Sequence, residues 1–435
     1  SQPRKEREAA HRAVAQQLQA CPGPDIRPEL LAQHWAASGS LRQAVLCWLK
    51  AGQLASEQSA CQEALQHFRA GLALVASLPD EADRTQMELD LLLGLGAAAC
   101  AAQGYASLEG SEAYARAVAL SEQHQDDADM FPGFWGLWAS ASSRVGHGHA
   151  LTVARRLIRM AEQTGNPIYL QQAHFAAGNS SFWRGDFSAA RSHLELASSL
   201  YRTDQHAKLL NIFGEDAGVT TQSYLSWVLR AQGHPDLARQ RSTAALTLAR
   251  QLNHPFSLGY ALTFAAVLAC HQRDVDQAEV LGNEALQIGT RYGFPLWVTG
   301  AQAALGWVAA LRGDREGVDT IRRAREAASQ TMSGVSVVLL TLLADAQLAL
   351  GCPQDALTSI QEALSLGRVI GDFHDEPNLL RMKGLALQKQ RPADPRGAQD
   401  CFTQALALAR HQQARQLACE LERVLEIGQQ PTHTP

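Results

Sequence analysis

Aromatic residues make up only 6% of this 435-residue chain, and no run alternates Val, Ile and Thr. A half-buried strand needs that alternation, so a sheet protein is disfavoured. Charge of one sign is also missing. The net charge of −5 excludes the broad basic stripe through which a protein releases counterions from nucleic acid. Two local clusters, Arg155, Arg156 and Arg159 and then Arg322, Arg323 and Arg325, read as solvated helix faces. No two of the eight cysteines form a CxxC ligand pair. Most fall on apolar helix faces, where Cys acts as a small hydrophobe. A large helical chain does not need disulfides, which points to a reducing cytoplasm. No apolar run reaches the roughly 18–20 residues of a membrane span, and GLGAAACAAQG is the nearest approach. Neither Met nor a leader precedes SQPRKEREAAHR, so the chain reads as an excised fragment or a processed product.

Catalytic signatures are missing too. There is no G-x-x-x-x-G-K-[ST] string to cradle phosphates, no G-x-S-x-G elbow and no H-E-x-x-H helix. Gly94-Leu95-Gly96 lies inside an apolar helix and reads as a packing feature. His147 and His149 in GHGHA are expected in an exposed turn without a third ligand, which leaves no metal centre. Glu215 and Asp216 are adjacent in one loop and read as a helix cap or loop anchor. Nothing in the sequence asks for a cofactor.

What the chain does have is Ala and Leu, the strongest helix formers, written in a repeat. Ala238 in HPDLARQ, Ala278 in DVDQAEV and Val318 in DREGVDT play the same part and lie 40 residues apart. A fixed period in this range marks stacked helix pairs. The step back to Ala190 is 48, and its excess, DQHAKLLNIFGED, predicts a short extra helix at His206 to Phe213. Steps of 38 and 42 lead on to Ala356 and Ala398. Gly185, Gly233, Gly313 and Gly351 each follow the first helix of a pair, where a left-handed cap suits glycine. Pro235, Pro255, Pro295, Pro353 and Pro395 stand at or near helix starts. Ahead of the repeats, residues 4–21 predict a polar helix, CPGPDIRP breaks it, and Ser40 is placed to cap a helix carrying Ala44, Trp48 and Ala51 on one face. Phe131, Phe134, Trp135 and Trp138 form a dense aromatic patch. GQQPTHTP reads as a frayed tail.

The small–large–small spacing within paired helices resembles the tetratricopeptide repeat, with a period longer than the usual ~34 residues. It is similar to the long repeats found C-terminal to the ATPase of bacterial signal-transduction (STAND-type) ATPases. These include maltose-regulator-like proteins and, as the nearest resemblance, ATPase-containing class III adenylate/guanylate cyclases. The segments that carry it are PELLAQHWAASGSLRQAVLCWLKAG, GYASLEGSEAYARAVAL, FPGFWGLWASASSRVGHG, GEDAGVTTQSYLSWVLRAQGHPDLA, HPFSLGYALTFAAVLACHQRD and FPLWVTGAQAALGWVAALRGD. The resemblance implies an all-α, right-handed α-solenoid over residues 40–428. It also implies N-terminal helices at 1–39 that continue an upstream ATPase module, and a disordered tail at 429–435.

In such a stack the first helix of each pair lines the concave side. Carried over by phase, the inward positions are Phe175, Asn179, Phe182 and Trp183, then Ser223, Trp227 and Arg230. They continue with Tyr260, Thr263 and His271, then Trp307, and finally Thr341 and Asp345. Trp, Tyr and Arg anchor interfaces, and Arg230 follows Trp227 by three residues on the same helical face. Core packing is the competing reading for each aromatic residue. The resulting expectation is a non-catalytic sensor or scaffold that binds a protein, a peptide or a small effector on the concave face, with an ATPase module upstream in cis. No nucleic-acid or membrane partner is expected. The alternative is a stand-alone adaptor that assembles proteins. An enzyme would need Arg230, His271 and Asp345 to converge in the groove.

Overall fold

The structure, a computed structural model, describes residues 4–20, 27–78, 81–124, 127–331 and 335–429. It contains twenty-two α-helices and, among the described residues, no strand. In chain order the first ten are α1 (Arg4–Ala20), α2 (Pro28–Ala37), α3 (Leu41–Glu57), α4 (Cys61–Val75), α5 (Glu81–Gln103), α6 (Leu108–His124), α7 (Asp127–Arg144), α8 (His147–Thr164), α9 (Pro167–Trp183) and α10 (Phe187–Leu200). A single 3-10 turn precedes α11 (His206–Phe213), the extra helix that the longer repeat step predicts. The rest are α12 (Ala217–Ala231), α13 (Pro235–Leu252), α14 (Pro255–His271), α15 (Val275–Tyr292), α16 (Pro295–Leu311), α17 (Glu316–Thr331), α18 (Ser336–Ala349), α19 (Pro353–Ile370), α20 (Glu376–Lys389), α21 (Pro395–His411) and α22 (Arg415–Gln429). Residues 21–26 of the CPGPDIRP break and 430–435 of the expected tail lie outside the described residues.

The chain divides into two compact units, Ser1–Leu137 with Asp204–Glu215, and Trp138–Thr203 with Asp216–Pro435. The division falls inside α7. In the first unit, Phe68 fills the space left by Gly52 and Gly94, and Tyr114 the space left by Gly96 and Gly136. Gly94 and Gly96 are therefore the packing positions the sequence indicates. Phe213 of α11 packs against Phe131 and Trp135, with ring centroids 6.4 and 5.0 Å away. Glu215 accepts a hydrogen bond from the Tyr105 hydroxyl. Ser40 precedes α3 but makes no side-chain cap; its hydroxyl accepts from Ser38 at 3.1 Å instead.

The second unit is a solenoid of tetratricopeptide-like pairs. The helix starts are written in the sequence. Asp186, Asp216, Asp274 and Asp394 accept from the amides of Ala189, Val219, Gln277 and Gly397 at 2.9–3.1 Å, each satisfying an orphan donor of the first turn. Pro167, Pro235, Pro255, Pro295, Pro353 and Pro395 occupy first-turn positions, where a missing N–H is harmless. The repeat slot is buried throughout: Ala190, Ala238, Ala278, Ala356 and Ala398 are sealed, and Val318 is nearly so. First helices such as α14 are buried on nearly every side, whereas α13 buries only Ala238, Ala245 and Ala249. The first helices are sandwiched between neighbours, and the second helices keep one face in solvent.

The end of this unit returns to its beginning. The amides of Phe373 and His374 donate to the Trp183 carbonyl at 2.8 and 3.1 Å, and Gln412 Nε2 donates to the Phe373 carbonyl at 2.7 Å. A Cβ on Gly185 would lie 2.5 Å from the Gln412 amide, so this left-handed turn (φ +77°) needs glycine for space as well as conformation. The turn before α13 likewise meets the start of α22, where Gly233 faces the Gln416 backbone. The α19–α20 and α21–α22 junctions thus seal against the α9–α10 and α12–α13 turns.

A polar cavity in the second unit

That closure forms one wall of a half-open pocket. A cavity of about 390 Å³ lies at the C-terminal ends of the first helices. Arg230 enters from the last turn of α12, His271 from the last turn of α14, Trp307 from α16, and Thr341 and Asp345 from α18. The opposite wall is His374, Asp375, Asn378 and Arg381 around the start of α20, with Glu420 from α22. Helix C-termini carry partial negative charge, which favours the Arg230 guanidinium where it stands.

The charged groups differ in how far they are satisfied. Asp345 is fully engaged. Its Oδ1 accepts from Arg273 at 2.7 Å and its Oδ2 from Trp307 Nε1 at 2.7 Å, while the Arg273 guanidinium lies 5.8 Å from the Trp307 ring centre. Arg239 pairs with Asp236. Arg381 donates only to the neutral Asn378 Oδ1, at 3.2 and 2.7 Å. The half-buried Arg230 guanidinium has no hydrogen-bond or ion-pair partner among the described residues. Burial, followed by the charge of Arg230, pushes His271 down to about 3, so its ring is neutral at ordinary pH. Burial works against charging His374, but Asp372, 2.6 Å from its ring, and Asp375 outweigh it and raise its pKa. Burial opposes ionisation of Asp375 as well, yet His271 first, then His374 and Arg230, hold it below the usual carboxylate range.

Of the positions selected by helical phase, Arg230, His271, Trp307, Thr341 and Asp345 line the cavity, and Phe175, Asn179, Trp183, Trp227 and Tyr260 do not. Those five are nearly sealed from solvent. Phe175 packs edge-on against Trp138 and Tyr224. Trp183 stacks on His147 and donates to the Tyr224 hydroxyl at 3.1 Å. Trp227 donates to the Phe264 carbonyl at 3.0 Å and stacks on that ring at 4.4 Å, with Tyr260 stacked on its other neighbour side at 4.6 Å. Asn179 is buried with its Oδ1 unpartnered. The reason is depth along the helix. Trp227 and Arg230 share a face, but three residues advance about 4.5 Å, and the cavity reaches only the last turn of α12 and of α14. His147 corrects another expectation. It is buried at the start of α8, not exposed in a turn, whereas His149 is exposed. Among the described residues, no group of three or more His, Cys, Asp or Glu side chains could hold a metal ion. None of their helices is long and apolar enough to cross a membrane.

Sequence phase misses His374, Asp375, Arg381 and Glu420, because nothing in a repeat pattern says which distant pair completes the pocket. Arg273 did carry a signal. It adopts φ +61° where Gly185, Gly233, Gly313 and Gly351 stand in sister turns. A non-glycine residue in that region is strained by roughly 1–2 kcal/mol. Its side chain reaches Asp345 at the cavity wall.

No family model and no curated protein matches the chain. Among solved structures it is similar to a Rap protein complexed with competence and sporulation factor, with a TM-score of 0.55 and 13% identity over 89% of this chain and 97% of that one. The apo form of RapI aligns at a TM-score of 0.44 with 11% identity, covering 73% of this chain and 99% of that one. The yeast Tom70 structure aligns at 0.36 with 10% identity, covering 98% and 90%. The first of these likenesses establishes a shared fold, an all-α stack of tetratricopeptide-like repeats.

Proposed function

We propose that this chain is a non-catalytic ligand-binding repeat region whose effector, a small molecule or the end of a peptide, occupies the cavity of the second unit. The observation that carries this reading is a half-open pocket of about 390 Å³, within the size range of small-ligand sites, walled by charged side chains of which Arg230 has no hydrogen-bond or ion-pair partner among the described residues. A protein of the same fold is described in complex with competence and sporulation factor, which supports a ligand-holding role for this architecture. Arg230, His271 and Asp345 do line the cavity together, but both oxygens of Asp345 are held by Arg273 and Trp307, which supports a binding role over a catalytic one. In this reading the chain is the cytoplasmic sensor region of a larger signalling ATPase or cyclase, with residues 1–39 continuing an upstream ATPase module and residues 40–428 forming the repeats. Ligand binding shifts the repeat region only by its differential affinity for two states.

The test is a melting-temperature screen of the full chain against metabolites and short peptides, repeated on Asn378→Trp, which fills the cavity. Hits that shift the wild type and not the variant support the reading. Hits that shift both equally, with hydrogen-exchange protection mapping outside the second unit, overturn it.

A further inference from the structure

On the basis of that proposed cavity, we infer that its occupant is an anion: a carboxylate or phosphoryl group seated at Arg230 and Arg381. Guanidinium groups remain charged at every accessible pH, so each one that is partly buried favours a counter-charge in contact with it. The cavity's own acids lie near enough to attract Arg230 but form no direct ion pair with Arg230 or Arg381. Both oxygens of Asp345 are taken by Arg273 and Trp307. Asp375 accepts from Asn378 at 3.2 Å, and Glu420 from Gln416 at 3.2 Å. Arg381 reaches only the neutral Asn378 carbonyl oxygen, and Arg230 reaches nothing among the described residues. The two arginines act on each other with like charge, while Asp375 and Glu420 attract Arg230 without closing an ion pair. An anion entering here finds two guanidinium forks with free N–H groups, which match the planar carboxylate and the phosphoryl oxygens. Neutral His271 lies beside Arg230 and adds a hydrogen-bonding edge without repelling or neutralising the ligand. The volume admits a small acid or one chain end, not a folded domain.

Three anionic probes separate the sources: inorganic pyrophosphate, succinate, and a tetrapeptide with a free C-terminus. Succinamide and the C-terminally amidated tetrapeptide serve as neutral controls, all at fixed ionic strength on the full chain. At least one anionic probe is expected to raise the melting temperature by about 4 °C or more near saturation, and its neutral counterpart to do nothing. Arg230→Gln weakens that binding at least about tenfold, since a charge-assisted bidentate contact is lost. The same variant, unliganded, melts close to the wild type, because Arg230 closes no ion pair and its attraction to Asp375 and Glu420 is opposed by burial and by Arg381. Glu420→Gln tightens binding by removing the competing carboxylate. Absence of any shift from all three anions, an unchanged Kd in Arg230→Gln, or a marked loss of stability in unliganded Arg230→Gln overturns the inference. If the neutral controls bind as well as the anions and lose binding only in Asn378→Trp, the cavity reading stands and the anion reading fails.

Discussion

The carbonyl of Trp183 accepts a hydrogen bond from the amide of His374 at 3.1 Å, and the two rings meet edge to face at 4.9 Å. This one contact joins the α9–α10 turn to the loop before α20 and fixes the far wall of the cavity. Gln412 braces the same loop through the Phe373 carbonyl at 2.7 Å. Gln412→Ala is expected to destabilise the protein by about 1–2 kcal/mol, the cost of leaving that carbonyl unpaired. Hydrogen exchange checks the site: the amides of residues 373 and 374 lose protection before those of α14.

The seam titrates in two directions. His147 is pushed down to about 4 by burial, against the pull of Asp372, with His374 and Arg184 adding to the depression. His374 is shifted up, as its acidic neighbours outweigh burial. Unfolding returns both to about 6.5. The His147 contribution is present above about 6.5 and is lost as pH falls toward 4, amounting to about 3 kcal/mol. His374 contributes fully below about 6.5, and that part is lost as pH rises through its folded value. Melting temperature should therefore peak near neutrality. His147→Phe flattens the acid limb, and His374→Asn the alkaline one. Equal slopes in wild type and both variants would count against this assignment.

Trp227→Ala should unfold rather than merely unload. The indole stacks on Phe264 and packs against Phe182 and Tyr224, so truncation costs about 3–5 kcal/mol. Chemical denaturation gives the number directly, and a loss under about 1 kcal/mol would return Trp227 to the ligand-facing set.

Gly317→Ala tests the tightest crossing in the stack. A Cβ there would lie 2.3 Å from the Gly306 carbonyl oxygen, and backbone cannot rotate away as a side chain can. The expected loss is about 1–3 kcal/mol or more, arising from the clash, whereas Gly313→Ala, with open space around it, adds only left-handed strain of roughly 1–2 kcal/mol.

Arg273 offers an internal comparison. Arg273→Gly relieves the left-handed backbone, roughly 1–2 kcal/mol, and gives up a half-exposed ion pair with Asp345, which keeps its bond from Trp307. Its melting temperature should match or exceed the wild type. Arg273→Ala keeps the strain, loses the pair, and should melt lower.

The sequence made the helix pairs legible because the period, the Ala slots and the Gly and Pro punctuation are local chemistry. Ala190, Ala238, Ala278, Ala356 and Ala398 all prove sealed. The α11 insertion was readable for the same reason, as an excess in the step. The cavity was half legible. Helical phase placed Arg230, His271, Trp307 and Asp345 on the inner side, but it could not tell the open last turn from the packed turns holding Trp227 and Tyr260. Nor could it show that residues 371–381 return to meet Trp183, since that depends on the summed twist of every intervening pair. Gly306 and Gly317 were missed because the close approach sits one residue away from the Val318 slot.

An open row of repeats unravels from its tips, one module at a time, because each end module has a single neighbour. Where Phe373 and His374 dock on Trp183, the second unit has no such tip. Deleting any one of its pairs breaks two interfaces instead of one, so it should melt in a single cooperative step and resist shortening. Circular permutation at the α14–α15 turn should be tolerated better than removal of α20 and α21.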